Sequence, residues 1–203
     1  MSLGAFLITS IIIILIPGTG VVYTISTGVM GGREKSIVAA LGCTLGIVPH
    51  LCLSIAMSTL LMRMNDTFFI VMKYVGAAYL VYMGIGMIRS KERIQFEEES
   101  KSEDAISVIR KGILINLLNP KLTLFFFSFL PQYVKGTHSQ FVVESAVLGI
   151  AFMIMTFIVF VIYGMLAGTA RSYLSKSEKR ISVLQKLFGT VFIGFALKLV
   201  VEN

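Results

Sequence analysis

Lys121 is a charged residue in the middle of an apolar stretch, and the two residues before it favour the start of a helix. Asn119-Pro120-Lys121 lies in the middle of the apolar stretch 112–133, which is long enough to cross a membrane. A charge at membrane depth costs about 2.5–3.5 kcal/mol on insertion scales, and proline interrupts a helix. Asparagine favours the N-cap and proline the first helical position, so a half-helix is predicted to start here. Its positive end, with the lysine, suits an anionic group such as a carboxylate.

A second break, PGTG, interrupts the first apolar stretch at residues 17–20. Pro17 can start a helix, while Gly18 and Gly20 allow close backbone approach. Backbone carbonyl oxygens exposed at such breaks can bind an ammonium group or a cation, and helix N-termini can bind a carboxylate. Two breaks that face each other would therefore suit a zwitterion, which has both groups. The predicted substrate-binding residues are Pro17, Gly18, Thr19, Gly20, Tyr23, Asn116, Asn119, Pro120, Lys121, Ser128 and Gln132. Two alternatives stay open: that these residues only kink and pack membrane helices, and that the lysine reaches out to an interface.

Further residues continue the Asn119-Pro120-Lys121 break along one helix face. Lys121, Phe125, Ser128 and Gln132 follow at spacings of four, three and four residues, which is the spacing of one α-helical stripe. The pattern predicts a polar path through an otherwise aromatic and aliphatic segment.

His50 is the remaining candidate for chemistry, as a weak candidate for proton coupling. Histidine titrates near physiological pH, although a satisfied buried histidine explains its presence equally well. The sequence contains no serine–histidine–acid set, metal-ligand cluster or phosphate loop. We therefore expect neither an enzyme nor a bound cofactor or metal.

The elements that must position these residues are membrane helices. The 203 residues are 56% hydrophobic and 14% charged, with a mean hydropathy of +0.85. Six apolar stretches predict spans at about 3–30, 36–62, 69–88, 112–133, 141–170 and 183–200. They fill the chain and leave no room for a soluble catalytic domain.

A weak internal repeat divides the spans into two halves. Residues 73–80 and 186–193 both read K-x-x-G-x-x-aromatic-aliphatic, and the first and fourth spans each contain a central proline. The predicted fold is therefore all-α, with two inverted three-helix repeats at 1–88 and 112–203 around a charged cytoplasmic loop at 89–111. Inverted repeats with broken helices are typical of secondary transporters.

The distribution of basic residues predicts the orientation. Thirteen of the 18 lysines and arginines lie in or near the connections between spans one and two, three and four, and five and six. By the positive-inside rule these connections are cytoplasmic and both termini lie outside. The same rule explains the net charge of +7 without nucleic acid.

The motifs resemble those of the LysE/RhtB family of amino-acid exporters. The resemblance rests on PGTG, on the glycines at 32, 42 and 46, on His50, and on N-L-L-N-P-K at residues 116–121 followed by an aromatic run and P-Q. It covers nearly the whole chain, although Thr19 stands where the usual family form has a second proline. It implies a six-span exporter that moves amino acids or derivatives outward across the cytoplasmic membrane, driven by the proton gradient or the membrane potential.

The sequence therefore favours a secondary-active amino-acid exporter whose partners are a small-molecule substrate and the lipid bilayer. The alternatives are an inorganic cation exporter of the same superfamily and a non-transporting membrane assembly protein. A homo-oligomer is left open, and the substrate amino acid and the coupling ion are not determined by the sequence.

Overall fold

The structure, a computed structural model, describes residues 3–16, 18–61, 66–89, 104–134 and 138–166, with scattered residues of 183–201. The elements in chain order are α1 (Leu3–Leu15), α2 (Thr19–Leu45), α3 (Val48–Leu61), α4 (Asp66–Arg89), α5 (Ala105–Leu117), α6 (Pro120–Leu124), a π-helical turn (Phe125–Phe129), α7 (Leu130–Tyr133) and α8 (His138–Met165). The described part of the chain is helical throughout and contains no strand, which confirms the predicted all-α class.

Several of these helices have the length and composition of membrane spans. Thr19–Met57 and Gln140–Met165 are long and apolar enough to cross a bilayer. Ala105–Leu117 and Pro120–Tyr133, which meet at an angle of 52°, make a third span if they are counted as one bent pair. Residues 90–103 and most of the predicted sixth span lie outside the described residues. The six-span arrangement with two inverted repeats stays a prediction.

A glycine kinks α2, and a proline separates α2 from α3. Gly32 has φ 83° and ψ 179°, a conformation that favours glycine, and it kinks α2 inside the predicted polar turn GGREK. The sequence then predicted one continuous span over 36–62, but α2 ends at Leu45 and α3 begins at Val48. Pro49 explains the difference, because its ring has no N–H for the carbonyl of Leu45, four residues earlier, and would clash with it.

The fourth predicted span also begins earlier than expected. The sequence placed residues up to 111 in a solvated loop, but α5 starts at Ala105. The side chain of Asp104 caps this helix by accepting a hydrogen bond of 3.1 Å from the N–H of Ser107. An N-cap aspartate satisfies a free helical N–H, so the charged sequence before residue 112 is partly helical.

The chain forms two compact units. One consists of residues 1–59 and 96–171, and the other of residues 60–95 and 172–203. In the first unit, small residues let α2 approach α5 closely, since a side-chain carbon on Gly42 would lie 2.6 Å from the carbonyl oxygen of Ile109. In the same unit, Phe125 stacks on Phe152 with ring centroids 4.3 Å apart and meets Phe126 edge-on. The second unit contains α4, and its described residues after 182 are helical.

Candidate functional site

Lys121 is buried and faces the end of α1. Its side chain is 6% exposed, and Nζ donates hydrogen bonds to the carbonyl oxygens of Ile16 (2.9 Å) and Ile13 (3.1 Å). In an unbroken helix Ile13 would accept from the N–H of residue 17, but that residue is a proline and has none. The ammonium therefore takes the place of a missing helical donor, at the end of α1 where the helix dipole favours a cation. This geometry places the lysine inside the protein at the end of α1, beside the PGTG break, and not at an interface.

The start of α2 lies beside the same ammonium. Gly18 is the N-cap of α2 and offers no side-chain cap. A side-chain carbon built on Gly18 would lie 3.2 Å from Nζ of Lys121 and 3.8 Å from Nδ2 of Asn119. The two helix starts are thus neighbours, as predicted. Glycine at this position therefore leaves space between the start of α2, which has no side-chain cap, and the ammonium group.

The start of α6, in contrast, is capped by its own residues. Oδ1 of Asn119 accepts a hydrogen bond from the backbone N–H of Lys121 (3.1 Å), and Pro120 occupies the first helical position. This is the helix start that the sequence predicts. Because its donors are satisfied, the open N–H groups of the site belong to α2.

Asn116 connects the two breaks. Its Nδ2 donates to the carbonyl oxygen of Cys43 on α2 (2.8 Å), and its Oδ1 accepts from Nδ2 of Asn119 (3.3 Å). A side-chain carbon on Gly20 would lie 2.4 Å from this Oδ1, so α2 can pass here only with glycine. The amide of Asn116 is therefore held between α2 and the start of α6.

These residues line a small cavity. Its lining residues are Ile13, Ile14, Gly18, Gly20, Val21, Asn116, Asn119, Lys121, Leu122, Phe152, Thr156 and Phe160. The space open to the centre of a water molecule is about 10 Å³, which is room for about one water. The polar part of the lining, which we call the polar end, contains Lys121, Asn116 and Asn119, and the apolar part comes mainly from α1, α2 and α8. Among the described residues that line the cavity, Lys121 is the one with a charge.

His50 joins the α5–α6 junction from α3. It is buried, and Nε2 lies 3.0 Å from the carbonyl oxygen of Asn116. Nδ1 lies 3.4 Å from Oγ1 of Thr123, and the imidazole stacks on Phe126 with ring centroids 6.5 Å apart. Another side chain of α3, Ser54, donates a hydrogen bond of 2.5 Å to the carbonyl oxygen of Phe126 in the π-helical turn.

Several predicted site residues lie away from the cavity. Thr19 and Pro120 are exposed, and Tyr23 donates from its hydroxyl group to the carbonyl oxygen of Val108 on α5 (2.9 Å). Gln132 is half-buried beyond the π-helical turn and does not line the cavity. Pro17 and the side chain of Ser128 lie outside the described residues.

The polar stripe that the sequence predicted is interrupted. Between Phe125 and Phe129 the backbone is π-helical, so the α-helical spacing from Lys121 to Gln132 is not kept. Phe125 is 1% exposed and packs among phenylalanine rings, which closes the predicted path with an apolar side chain.

Sequence reasoning missed the α8 wall of the cavity. Phe152, Thr156 and Phe160 follow one another at a spacing of four residues, which places them on one helix face. The spacing was available in the sequence, but nothing in it indicated which face of α8 meets the breaks. Among the residues with a described position, no group of three or more histidine, cysteine or acidic side chains is placed to hold a metal ion.

Comparisons with known proteins find relatives over nearly the whole chain. A family model described as "LysE type translocator" matches residues 11–203. An uncharacterized membrane protein of Vibrio cholerae is 32% identical over 195 residues, 96% of this chain and 94% of its own length. A homoserine/homoserine lactone efflux protein of Salmonella typhimurium is 27% identical over 190 residues, 93% of this chain and 91% of its own. A leucine efflux protein of Klebsiella pneumoniae is 28% identical over 202 residues, 96% of this chain and 92% of its own. No solved structure matches.

Proposed function

Because this chain belongs to the LysE-type translocator family, we propose that it is a secondary-active exporter of a neutral amino acid or a close derivative. Membership makes the chain a membrane transporter and not an enzyme. The substrate, its binding residues, the cytoplasmic membrane as its location and the coupling to protons are our proposal. The observation that carries it is a buried cation, Lys121, which lines a small cavity beside a helix start without a side-chain cap.

The polar end of the cavity suits a carboxylate. Nζ of Lys121 has three N–H groups, and the described part of the chain provides acceptors for two of them at Ile13 and Ile16. The third N–H and the first N–H groups of α2 would together hold the carboxylate of an amino acid. A neutral acceptor, Oδ1 of Asn116, lies at the same end for the substrate's ammonium group.

The rest of the lining suits an uncharged side chain. Apart from Lys121 the lining residues are apolar or neutral, so a basic side chain would find no carboxylate and an acidic one no second cation. Leucine and homoserine, which are named for two relatives, both have uncharged side chains. Phe152, Phe160 and Thr156 on α8 would form the wall that contacts this side chain.

The cavity of this structure is too small for an amino acid, so loading requires a conformational change. We place the change at the breaks, because the end of α1, the start of α2 and the α5–α6 junction are joined by hydrogen bonds of Lys121 and Asn116. Alternating access would then rock these segments around a fixed site. The six-span topology, the inverted repeats with proline breaks in spans one and four, and the external termini belong to the same proposal. Each compact unit takes equivalent segments from both predicted halves, which supports the repeat.

Proton coupling is assigned to His50. Its imidazole contacts the backbone of Asn116 at the α5–α6 junction, so a change in its charge acts on the break that carries Lys121. The role of His50 rests on this position and on the ability of histidine to titrate near physiological pH.

Counterflow in proteoliposomes tests the proposal. Vesicles loaded with one unlabelled amino acid are placed in trace labelled amino acid, and a panel of neutral, basic and acidic compounds competes from outside. We expect exchange of neutral amino acids, with basic and acidic ones at least tenfold weaker competitors. Exchange of basic or acidic amino acids in preference would refute the substrate class, and absence of any exchange would refute the export function.

The alternative of cation export has less support at this site. The exposed carbonyl oxygens of Ile13 and Ile16 that would bind a cation are already occupied by the ammonium of Lys121. Growth of an expressing strain on toxic metals and on toxic amino-acid analogues separates the two functions, because only export of the compound confers resistance.

A further inference from the structure

The hydroxyl group of Thr123 lies between two acceptors at the α5–α6 junction. Oγ1 is 3.4 Å from Nδ1 of His50 and 3.5 Å from the carbonyl oxygen of Asn119. A hydroxyl has one proton to donate, so it serves one of these acceptors at a time. Both distances are long, which means that neither hydrogen bond holds the hydroxyl proton firmly.

The hydrogen-bond partners of His50 determine which tautomer its neutral imidazole adopts. The carbonyl oxygen of Asn116, 3.0 Å from Nε2, can only accept, so Nε2 carries a hydrogen. In the neutral imidazole Nδ1 is then an acceptor, and the Thr123 hydroxyl donates to it. When Nδ1 takes up a proton it becomes a donor, and the hydroxyl must turn its own proton away.

We propose that Thr123 is a positioning residue for proton coupling: its hydroxyl proton turns from His50 to the carbonyl oxygen of Asn119 when His50 is protonated. This inference rests on the proposed role of His50 in the exporter. No bond other than hydrogen bonds changes, and the only proton taken up is the one that binds Nδ1.

This rotation of the Thr123 hydroxyl would make the hydrogen bonds at the substrate cavity depend on the charge of His50. The carbonyl oxygen of Asn119 already accepts from the N–H groups of Leu122 and Thr123 in the first turn of α6. The side chain of the same residue caps the N–H of Lys121 and donates to Asn116 in the cavity lining. A third hydrogen bond at this carbonyl therefore acts on the residue that connects both polar groups of the site.

The groups around the imidazole come from three segments. They are the Asn116 carbonyl of α5, the Thr123 hydroxyl of α6 and the ring of Phe126 in the π-helical turn. Among the described residues, no charged side chain is recorded in contact with the imidazole. The nearest charge along α6, Lys121, is bonded to carbonyl oxygens at the end of α1. The threonine hydroxyl is therefore the one side-chain partner in this part of the chain that can respond to the proton.

Thr123→Val tests the proposal, because valine keeps the shape and removes the hydroxyl. Exchange and pH-gradient-driven transport of a neutral amino acid are measured in proteoliposomes over a range of pH, each with KM and maximal rate. A hydrogen bond to a charged group is stronger than one to a neutral group, so the protonated form loses more. The midpoint of the pH profile is expected to move to lower pH by about one unit.

Three control variants separate positioning from packing. Thr123→Ser keeps the hydroxyl and should restore the wild-type midpoint, while Thr123→Ala repeats the loss if the valine variant is not recovered in the membrane. Thr44→Val removes a buried hydroxyl that donates only within α2, to the carbonyl oxygen of Ala40 (2.8 Å), and should leave the midpoint unchanged.

Each outcome separates this inference from the proposed function. A valine variant with the wild-type midpoint, or a serine variant that shifts as far as valine, would overturn the role of Thr123. Wild-type exchange without any response to a pH gradient would overturn it together with the role of His50, while amino-acid export stands. Absence of wild-type exchange would instead refute the exporter itself.

Discussion

Replacing Gly20 with alanine should block the site without changing a polar group. The added carbon would lie 2.4 Å from Oδ1 of Asn116 and 3.0 Å from Cε2 of Phe160, both closer than ordinary contacts. The Asn116 side chain would have to retreat by about 1 Å to restore contact distance. Its amide is fixed by Cys43 and Asn119, so the retreat weakens at least one of two hydrogen bonds.

The size of the effect follows from these contacts. Overpacking costs about 1–3 kcal/mol, and a weakened hydrogen bond adds about 1 kcal/mol. Because the free space beside Gly20 is the cavity itself, the displaced amide of Asn116 competes with the substrate. If about 2 kcal/mol of the total falls on substrate binding, exchange at low substrate concentration drops about thirtyfold, mainly through KM.

Counterflow at several substrate concentrations measures this loss, with the amount of protein in the membrane quantified in parallel. Gly86→Ala is the matched control, since a side-chain carbon there meets nothing within 4 Å and should leave transport unchanged. In an Asn116→Ala background the clash with Oδ1 is absent, so Gly20→Ala should add little. Normal exchange by Gly20→Ala, or an equal loss in both backgrounds, would refute this reasoning.

Two further substitutions test the framework of the site. Gly112→Ala would place a carbon 2.9 Å from the backbone nitrogen of Cys43, which cannot rotate away. We therefore expect the protein to lose about 1–3 kcal/mol of stability. An unchanged melting temperature in detergent would contradict this close packing of α5 on α2. Asn119→Ala removes the side-chain cap on the N–H of Lys121 and should destabilise the protein by about 1 kcal/mol, whereas Asn119→Ser should keep most of the wild-type stability. Equal melting temperatures for the alanine and serine variants would argue against the cap.

Those parts of the site that depend on local chain chemistry were predictable from the sequence. Asn119 and Pro120 specify a helix start through a side-chain cap and a fixed φ angle, and the structure has that start. Gly32 likewise marks a kink inside a polar turn, and the resemblance to one transporter family is confirmed by the family model. The helix start and the kink need only neighbouring residues, and the resemblance needs only motifs that are visible in one sequence.

The contacts that give the site its chemistry were not predictable in the same way. The partners of Lys121 are backbone carbonyl oxygens, which every residue has, so no side-chain pattern identifies them. The same applies to the carbonyl oxygen of Asn116 that His50 meets. The π-helical turn at Phe125 depends on tertiary packing of aromatic rings, and it displaced a stripe that α-helical spacing had predicted.

The start of α5 is an intermediate case. Asp104 followed three residues later by Ser107 is compatible with a helix N-cap, but glutamates, lysines and serines around it have the composition of a solvated loop. The composition favours a loop up to residue 111, so the predicted helix start at residue 112 lies seven residues after the observed start at Ala105. A local cap is the better guide where small or apolar residues recur every four positions after it, as the buried Val108 and Gly112 do.

The central claim is that the ammonium of Lys121 binds the carboxylate of the substrate, and one measurement tests it most directly. Counterflow of the exchanged amino acid is inhibited by the same amino acid and by its carboxamide, for wild type, Lys121→Ala and Lys121→Gln, with the exposed Lys186→Ala as control. Wild type and the control should favour the acid over the amide by at least about tenfold, as expected for loss of a hydrogen bond to a charged group. We expect little or no exchange by Lys121→Ala and, in Lys121→Gln, residual exchange that no longer distinguishes acid from amide. A Lys121→Gln variant that still prefers the acid as strongly as wild type would contradict the account.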